Sequence, residues 1–215
     1  MRPIGPILNS MQPLFVVLDG IDGTGKSTQC RLLAEWLRGQ GHTVTECVEP
    51  GSTPIGDELR AILLGHRHEL ALRTEALLFM AARSELVERV IRPALAAGHV
   101  VISDRYLLAN IVYQGHAGGL NADTLWDVER FVTGGLEPDL TLVLDLPVES
   151  AIARRGREAD RKERPDTAYH ERVRQGFLSE AKKRPDRIRV IDAAPAVSVV
   201  QAAIRTEVGR RLTGG

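Results

Sequence analysis

Five short apolar runs recur along the chain: 14–18, 43–48, 99–103, 140–146 and 188–191. Each is rich in β-branched residues and bounded by turn residues, the pattern of a strand buried on both faces. Between them, apolar residues return at helical spacing. Residues 28–38 carry Leu32, Leu33, Trp36 and Leu37, and residues 55–64 carry Ile55, Leu59, Ile62 and Leu63. The spacing predicts a long helix over 70–97, which Pro93 kinks or divides. Further helices are expected over 107–116, over 124–132 with Asn121 or Asp123 as its cap, and over 168–183 and 197–212. Strands alternating with helices predict an α/β class, three layers deep, with a five-stranded parallel sheet flanked by helices. No stretch rich in Pro, Gly or Ser divides the chain, so a single domain is expected over 13–215. Residues 1–12 form a loose leader, within which Met11 is an alternative start.

The first strand runs into the most informative stretch. Gly20 to Ser27 fits G-x-x-x-x-G-K-[ST] in full, through Gly20, Gly23, Gly25, Lys26 and Ser27. A strand precedes it and a helix follows, the context a P-loop requires. The glycines let successive backbone N–H groups turn inward around phosphate oxygens. The helix N-terminus at Ser27 and Thr28 adds its dipole. Lys26 brings a positive charge to the same phosphates, and the Ser27 hydroxyl is a ligand type suited to Mg²⁺. Gly20, Gly23, Thr24, Gly25, Lys26, Ser27 and Thr28 are therefore the expected triphosphate site. The fold expectation sharpens to a P-loop NTPase.

Charge changes the picture next. Lys+Arg and Asp+Glu balance at 28 each, without the basic surplus of a nucleic-acid binder. No apolar run reaches transmembrane length. Cys30 and Cys47 lack metal spacing and read as small core residues in a reducing, cytoplasmic setting. A soluble enzyme binding neither nucleic acid nor membrane is expected.

Other candidates lie at strand ends and on helices. The third strand leads into Asp104-Arg105-Tyr106. An aspartate at the C-terminal edge of a parallel sheet can hold Mg²⁺ or its water, and Arg105 beside it can clamp a phosphate. Asp145 closes the fourth strand and competes for the metal. It is assigned a structural role because Leu146-Pro147, not an arginine, follows it. Phe79 and Arg83 share a helix face at i and i+4. Spacing alone suits either a core phenylalanine with a surface arginine or a base-reading pair, and favours the former. Tyr106, Asn110, Tyr113 and Gln114 fall near one face, as a pocket lining or as an exposed polar face. His66 and His68 read as solvated loop residues. Residues 150–164 hold Arg154, Arg155, Arg157, Arg161, Lys162 and Arg164. Beside a P-loop, that run suits a lid near 153–166 that covers a transferred phosphoryl group.

Several segments in order, DGIDGTGKST, EPGSTPIG, FMAAR, DRYLLANIVYQG and PDLTLVLDLP, then ADRKE before a helix, resemble the thymidylate kinase family of P-loop nucleoside monophosphate kinases. The resemblance runs from about residue 14 to the C-terminus. It implies phosphoryl transfer from ATP to dTMP with Mg²⁺, in dTTP synthesis, by a homodimer. It implies that Asp22 faces the deoxyribose and phosphate, that Phe79 stacks on thymine and that Arg83 bonds its O4. It also implies that Arg105 holds the acceptor phosphate, that Asp104 supports the metal, and that Asn110 and Gln114 read the base. Tyr113 would lie under the sugar and exclude a 2′-hydroxyl. Val48 stands where many bacterial members have arginine, and Ser52 where they have glycine. Thr24 stands where some carry a catalytic arginine, which shifts that role to Arg161 first and Arg157 second. A related kinase for another nucleotide or deoxynucleoside is the nearest alternative. A nucleotide-dependent switch is the alternative from a different class, though no N-K-x-D guanine motif is present.

Overall fold

The computed structural model describes residues 12–65, 69–154 and 167–213. Five strands, β1 (Leu14–Asp19), β2 (Val44–Val48), β3 (Val100–Asp104), β4 (Leu140–Asp145) and β5 (Ile188–Asp192), form one sheet in the order β2-β3-β1-β4-β5. Every pairing is parallel. The three central strands are buried almost throughout, as apolar runs covered on both faces must be. The edge strands β2 and β5 are mostly open, with Cys47 buried in the first and Ile188 and Ile191 in the second. The five predicted strands are therefore all present. Their ends shift because Asp19, Asp104 and Asp192 still pair in the ladder, with Leu18 opposite Asp104 and Asp145 opposite Asp192.

Helices α1 (Lys26–Gly39), α2 (Pro54–Leu64), α3 (Leu72–Leu86), α4 (Arg92–Ala96), α5 (Leu107–Asn110), α6 (Ala122–Val132), α7 (Val148–Arg154), α8 (Thr167–Lys183) and α9 (Val197–Thr213) connect and flank the sheet. Thr53 caps α2, its hydroxyl accepting from Gly56 N at 2.9 Å, with Pro54 at the first helical turn. Of the two caps proposed for α6, Asn121 is the one used: its Oδ1 accepts from Thr124 N at 2.8 Å.

Two refinements concern helices. The long helix expected over 70–97, kinked or divided by Pro93, is α3, then a π turn over Val87–Ile91, then α4. Pro93 has no N–H to give Arg89 and its ring would crowd that carbonyl, and the widened turn just before it relieves both. The helix expected over 107–116 is likewise four residues of α5 followed by a π-helical stretch, Ile111–Ala117. That stretch packs on α8. Glu180 of α8 is buried and accepts from Lys183 at 2.7 Å and ion-pairs with Arg184, and its Oε1 lies 2.9 Å from His116 Nε2. Among the described residues, no helix is long and apolar enough to cross a membrane. Cys30 and Cys47 are buried and free, as expected.

Candidate active site

The loop after β1 turns at Gly20, whose φ of +131° is one few side chains adopt. A Cβ there would lie 2.5 Å from the Leu144 carbonyl oxygen of β4, so the loop can sit this low over the sheet only with glycine. The turn continues through Gly23 and Gly25, both at positive φ, into the first turn of α1. Lys26 Nζ donates to Gly20 O at 3.1 Å and Ile21 O at 3.0 Å, and lies 3.7 Å from Asp22 Oδ1. Burial, helped by the nearby Arg105 charge, lowers the Lys26 pKa to about 8.

A cavity of about 740 Å³ opens over this loop. Gly23, Thr24, Gly25, Lys26, Ser27 and Thr28, six of the seven expected triphosphate contacts, line it. Gly20 does not; its carbonyl holds Lys26 and Arg105 from beneath. The far wall is the β5–α9 connection, Ala193 to Val197, which the sequence reading did not single out. Arg154, at the end of α7, fastens that wall by donating to Ala193 O at 2.8 Å and Ala194 O at 3.0 Å.

Asp104 ends β3 beside the P-loop. Ser27 Oγ donates to its Oδ2 at 2.5 Å. The pair presents a hydroxyl and a carboxylate oxygen side by side, a donor set that fits a hard cation carrying water and phosphate oxygens as its other ligands. Among the described residues no cluster of three or more His, Cys, Asp or Glu could hold a metal alone. A Mg²⁺ recruited together with phosphates needs no such cluster. Asp145 is held by Arg174, Nε at 2.7 Å and Nη2 at 2.9 Å, as its assigned structural role requires.

Arg105 has a φ of +73°. That conformation turns its side chain back over β1, where Nη1 donates to Asp19 Oδ1 at 3.3 Å and Gly20 O at 3.2 Å. Nη2 donates to Asp22 Oδ1 at 2.5 Å and Tyr113 OH at 3.2 Å. These partners keep its guanidinium charged and raise its pKa, despite burial that acts the other way. Asp19 is fully buried, and burial pushes its pKa up to about 6 against the pull of Arg105 and Lys26.

A second cavity of about 320 Å³ adjoins the first. Asp22, Phe79, Arg83, Arg105, Asn110, Tyr113 and Gln114, all seven predicted substrate contacts, line it. Asp22, Glu49, Arg60 and Arg105 line both cavities and form a shared wall. Arg83 is 1% exposed, which corrects the surface arginine that spacing favoured. It ion-pairs through Nε with Glu49 Oε1 at 2.7 Å and donates through Nη1 to Glu129. Gln114 Nε2 donates to Glu75 Oε1 at 2.6 Å. Tyr106 departs from the expected pocket face: it is buried against Phe15, edge to face, with its hydroxyl on Leu136 O. Arg157, Arg161, His66 and His68 lie outside the described residues.

The family model described as thymidylate kinase matches residues 18–204. The chain belongs to the thymidylate kinase family. It is 48% identical over 199 residues to a thymidylate kinase of Rhodopirellula baltica, covering 93% of this chain and 81% of that protein. It is 48% identical over 194 residues to one of Symbiobacterium thermophilum, covering 89% and 91%. The crystal structure of thymidylate kinase from Ehrlichia chaffeensis has the same fold, with a TM-score of 0.78 at 30% identity, over 92% of this chain and 98% of that one. Membership of the thymidylate kinase family makes this chain a kinase of the nucleoside monophosphate class, with the parallel α/β architecture the apolar runs predicted.

Proposed function

We propose that the protein transfers the γ-phosphoryl group of ATP to dTMP, giving ADP and dTDP. The observation that carries this reading is the pair of adjoining cavities, one built on a P-loop and one on Phe79, Arg83 and Asn110, with Arg105 and Asp22 between them. ATP lies in the larger cavity, its phosphates against the P-loop amides, Lys26 and Ser27. The monophosphate lies in the smaller one, its phosphate against Arg105. Phe79 stacks on the base, Arg83 donates to O4, and Asn110 and Gln114 face the rest of its edge. Tyr113 underlies the sugar and crowds a 2′-hydroxyl.

The acceptor phosphate is itself a nucleophile, so no strong general base is needed. Its oxygen attacks the γ-phosphorus and the bond to the ADP oxygen breaks, with charge spread over the moving phosphoryl group. The chain's contribution is positioning and charge neutralisation by amides, Lys26 and Arg105. Ser27 and Asp104 would hold Mg²⁺, which supplies charge neutralisation at the phosphates. Arg161 or Arg157, in the basic run after Arg154, would close over the group and exclude water.

ADP release from ATP and Mg²⁺ tests the assignment, with dTMP, dUMP, the ribose form of TMP, dCMP and AMP as acceptors. Strong turnover with dTMP, weaker turnover with the ribose form and little with dCMP are expected. ATP binding without dTMP-dependent turnover would assign the second cavity to another acceptor.

A homodimer accompanies this reading. Ile55, Ile62 and Leu64 of α2 are 51, 42 and 46% exposed and Leu77 of α3 is 59% exposed, apolar side chains that a partner would cover. Light scattering should return twice the 23.6 kDa chain mass, and the monomer mass would refute it. A cytoplasmic location, checked by cell fractionation, suits the two free buried thiols.

A further inference from the structure

Glu129 is a carboxylate in a place that normally rejects one. It is 0% exposed on α6 and does not reach the monophosphate cavity. Its Oε1 accepts from two side chains that do reach the cavity: Asn110 Nδ2 at 2.9 Å and Arg83 Nη1. The Asn110 amide nitrogen has a second partner, the Ala76 carbonyl oxygen at 3.3 Å. A carboxylate and a carbonyl can only accept, so the NH₂ end of Asn110 must face them. That leaves Asn110 Oδ1, buried and without a partner, as the polar atom this residue has left to offer the cavity it lines.

We infer that Glu129 is the positioning residue for base choice, holding Asn110 as an acceptor and Arg83 as a donor toward the nucleobase. The inference rests on the reading that this cavity takes the base. Thymine and uracil present a carbonyl O4 and, beside it, an N3–H. An arginine N–H next to an asparagine oxygen matches that edge. Cytosine presents the reverse, an amino group at position 4 and a bare N3. It would place donor against donor at Arg83 and acceptor against acceptor at Asn110. A buried site made to pair one pattern rejects the other because its polar groups are left unpaired. Without Glu129, Asn110 keeps only the 3.3 Å bond to Ala76 and its amide is free to turn over, offering NH₂ to N3 of cytosine.

The test compares kcat/KM for dTMP and dCMP in wild type, Glu129→Met, Glu129→Asp and Glu129→Gln. Thermal unfolding and ATP binding establish which variants fold. Glu129→Met removes the shared acceptor and should lower the dTMP-over-dCMP ratio at least tenfold, mainly through KM. Glu129→Asp keeps the charge but withdraws the oxygen by one methylene, so the ratio should fall about threefold or more. Glu129→Gln retains an acceptor oxygen for both donors and should stay within threefold of wild type. A wild type that does not discriminate against dCMP refutes the base-site reading itself. A wild type that discriminates, with an unchanged ratio in folded Glu129→Met, or in Glu129→Asp should the first variant not fold, overturns the inference alone.

Discussion

Lys26→Ala is expected to lower kcat by about 10²–10³-fold while the fold survives, the scale seen when one preorganised donor to developing charge is removed. The side chain is buried, its nitrogen rests on two loop carbonyls, and the cavity it lines is the larger of the two. Alanine removes the charge but leaves the loop glycines that shape the nest. Circular dichroism should therefore be unchanged while steady-state turnover collapses. The wild type carries a companion signature. Burial brings the pKa of Lys26 down to about 8, so in the free enzyme its positive charge is complete below that pH and lost above it. The value of kcat/KM for ATP should fall as pH rises through about 8. Bound phosphates favour the charged form, so the corresponding limb in kcat should sit at higher pH. Wild-type turnover in Lys26→Ala would remove the P-loop from the reaction.

Arg105→Ala should cost about 10²-fold or more in kcat/KM for the monophosphate, with a much smaller effect on KM for ATP. Both residues carry a Cβ, so the left-handed backbone at this position is no more strained in the variant. The loss is electrostatic. Asp19 and Asp22 lose the cation that forks between them. Asp19, already raised to about 6 by burial, should then hold its proton to still higher pH. Arg105→Lys should recover little, because an ammonium is a point charge and cannot span both carboxylates and the Tyr113 hydroxyl in one plane. Steady-state kinetics with each substrate varied in turn would reveal the asymmetry, and equal effects on both substrates would deny Arg105 its place at the acceptor phosphate.

The sheet was legible because its central strands are continuous apolar runs, a pattern that solvent-facing segments do not produce. The P-loop was legible because glycine, lysine and serine at fixed offsets have one physical use in that context. The π turns were not, since Val87–Ile91 and Ile111–Ala117 contain apolar residues that fit either helical period. Arg83 misled because arginine is rarely buried, and what buries it is a pair of carboxylates distant in sequence, Glu49 and Glu129. A signal for Glu129 did exist: it lies four residues after Leu125, on the face that α6 turns inward. A charge on an apolar stripe calls for a partner, and only the folded chain shows that the partner is Arg83. Arg60 and the Ala193–Val197 wall gave no comparable signal, because their role depends on loops brought together by the parallel crossovers.

The wall of Asp22, Glu49, Arg60 and Arg105 that stands between the two cavities has a thermodynamic consequence. Two ligands that touch the same charged side chains cannot bind as strangers. Whatever factor the first nucleotide imposes on affinity for the second, the second imposes on the first, because the coupling free energy belongs to the ternary complex and not to either partner. Substrate order in this enzyme is then a matter of rates alone, and the closed thermodynamic cycle around the wall is the same whichever nucleotide arrives first.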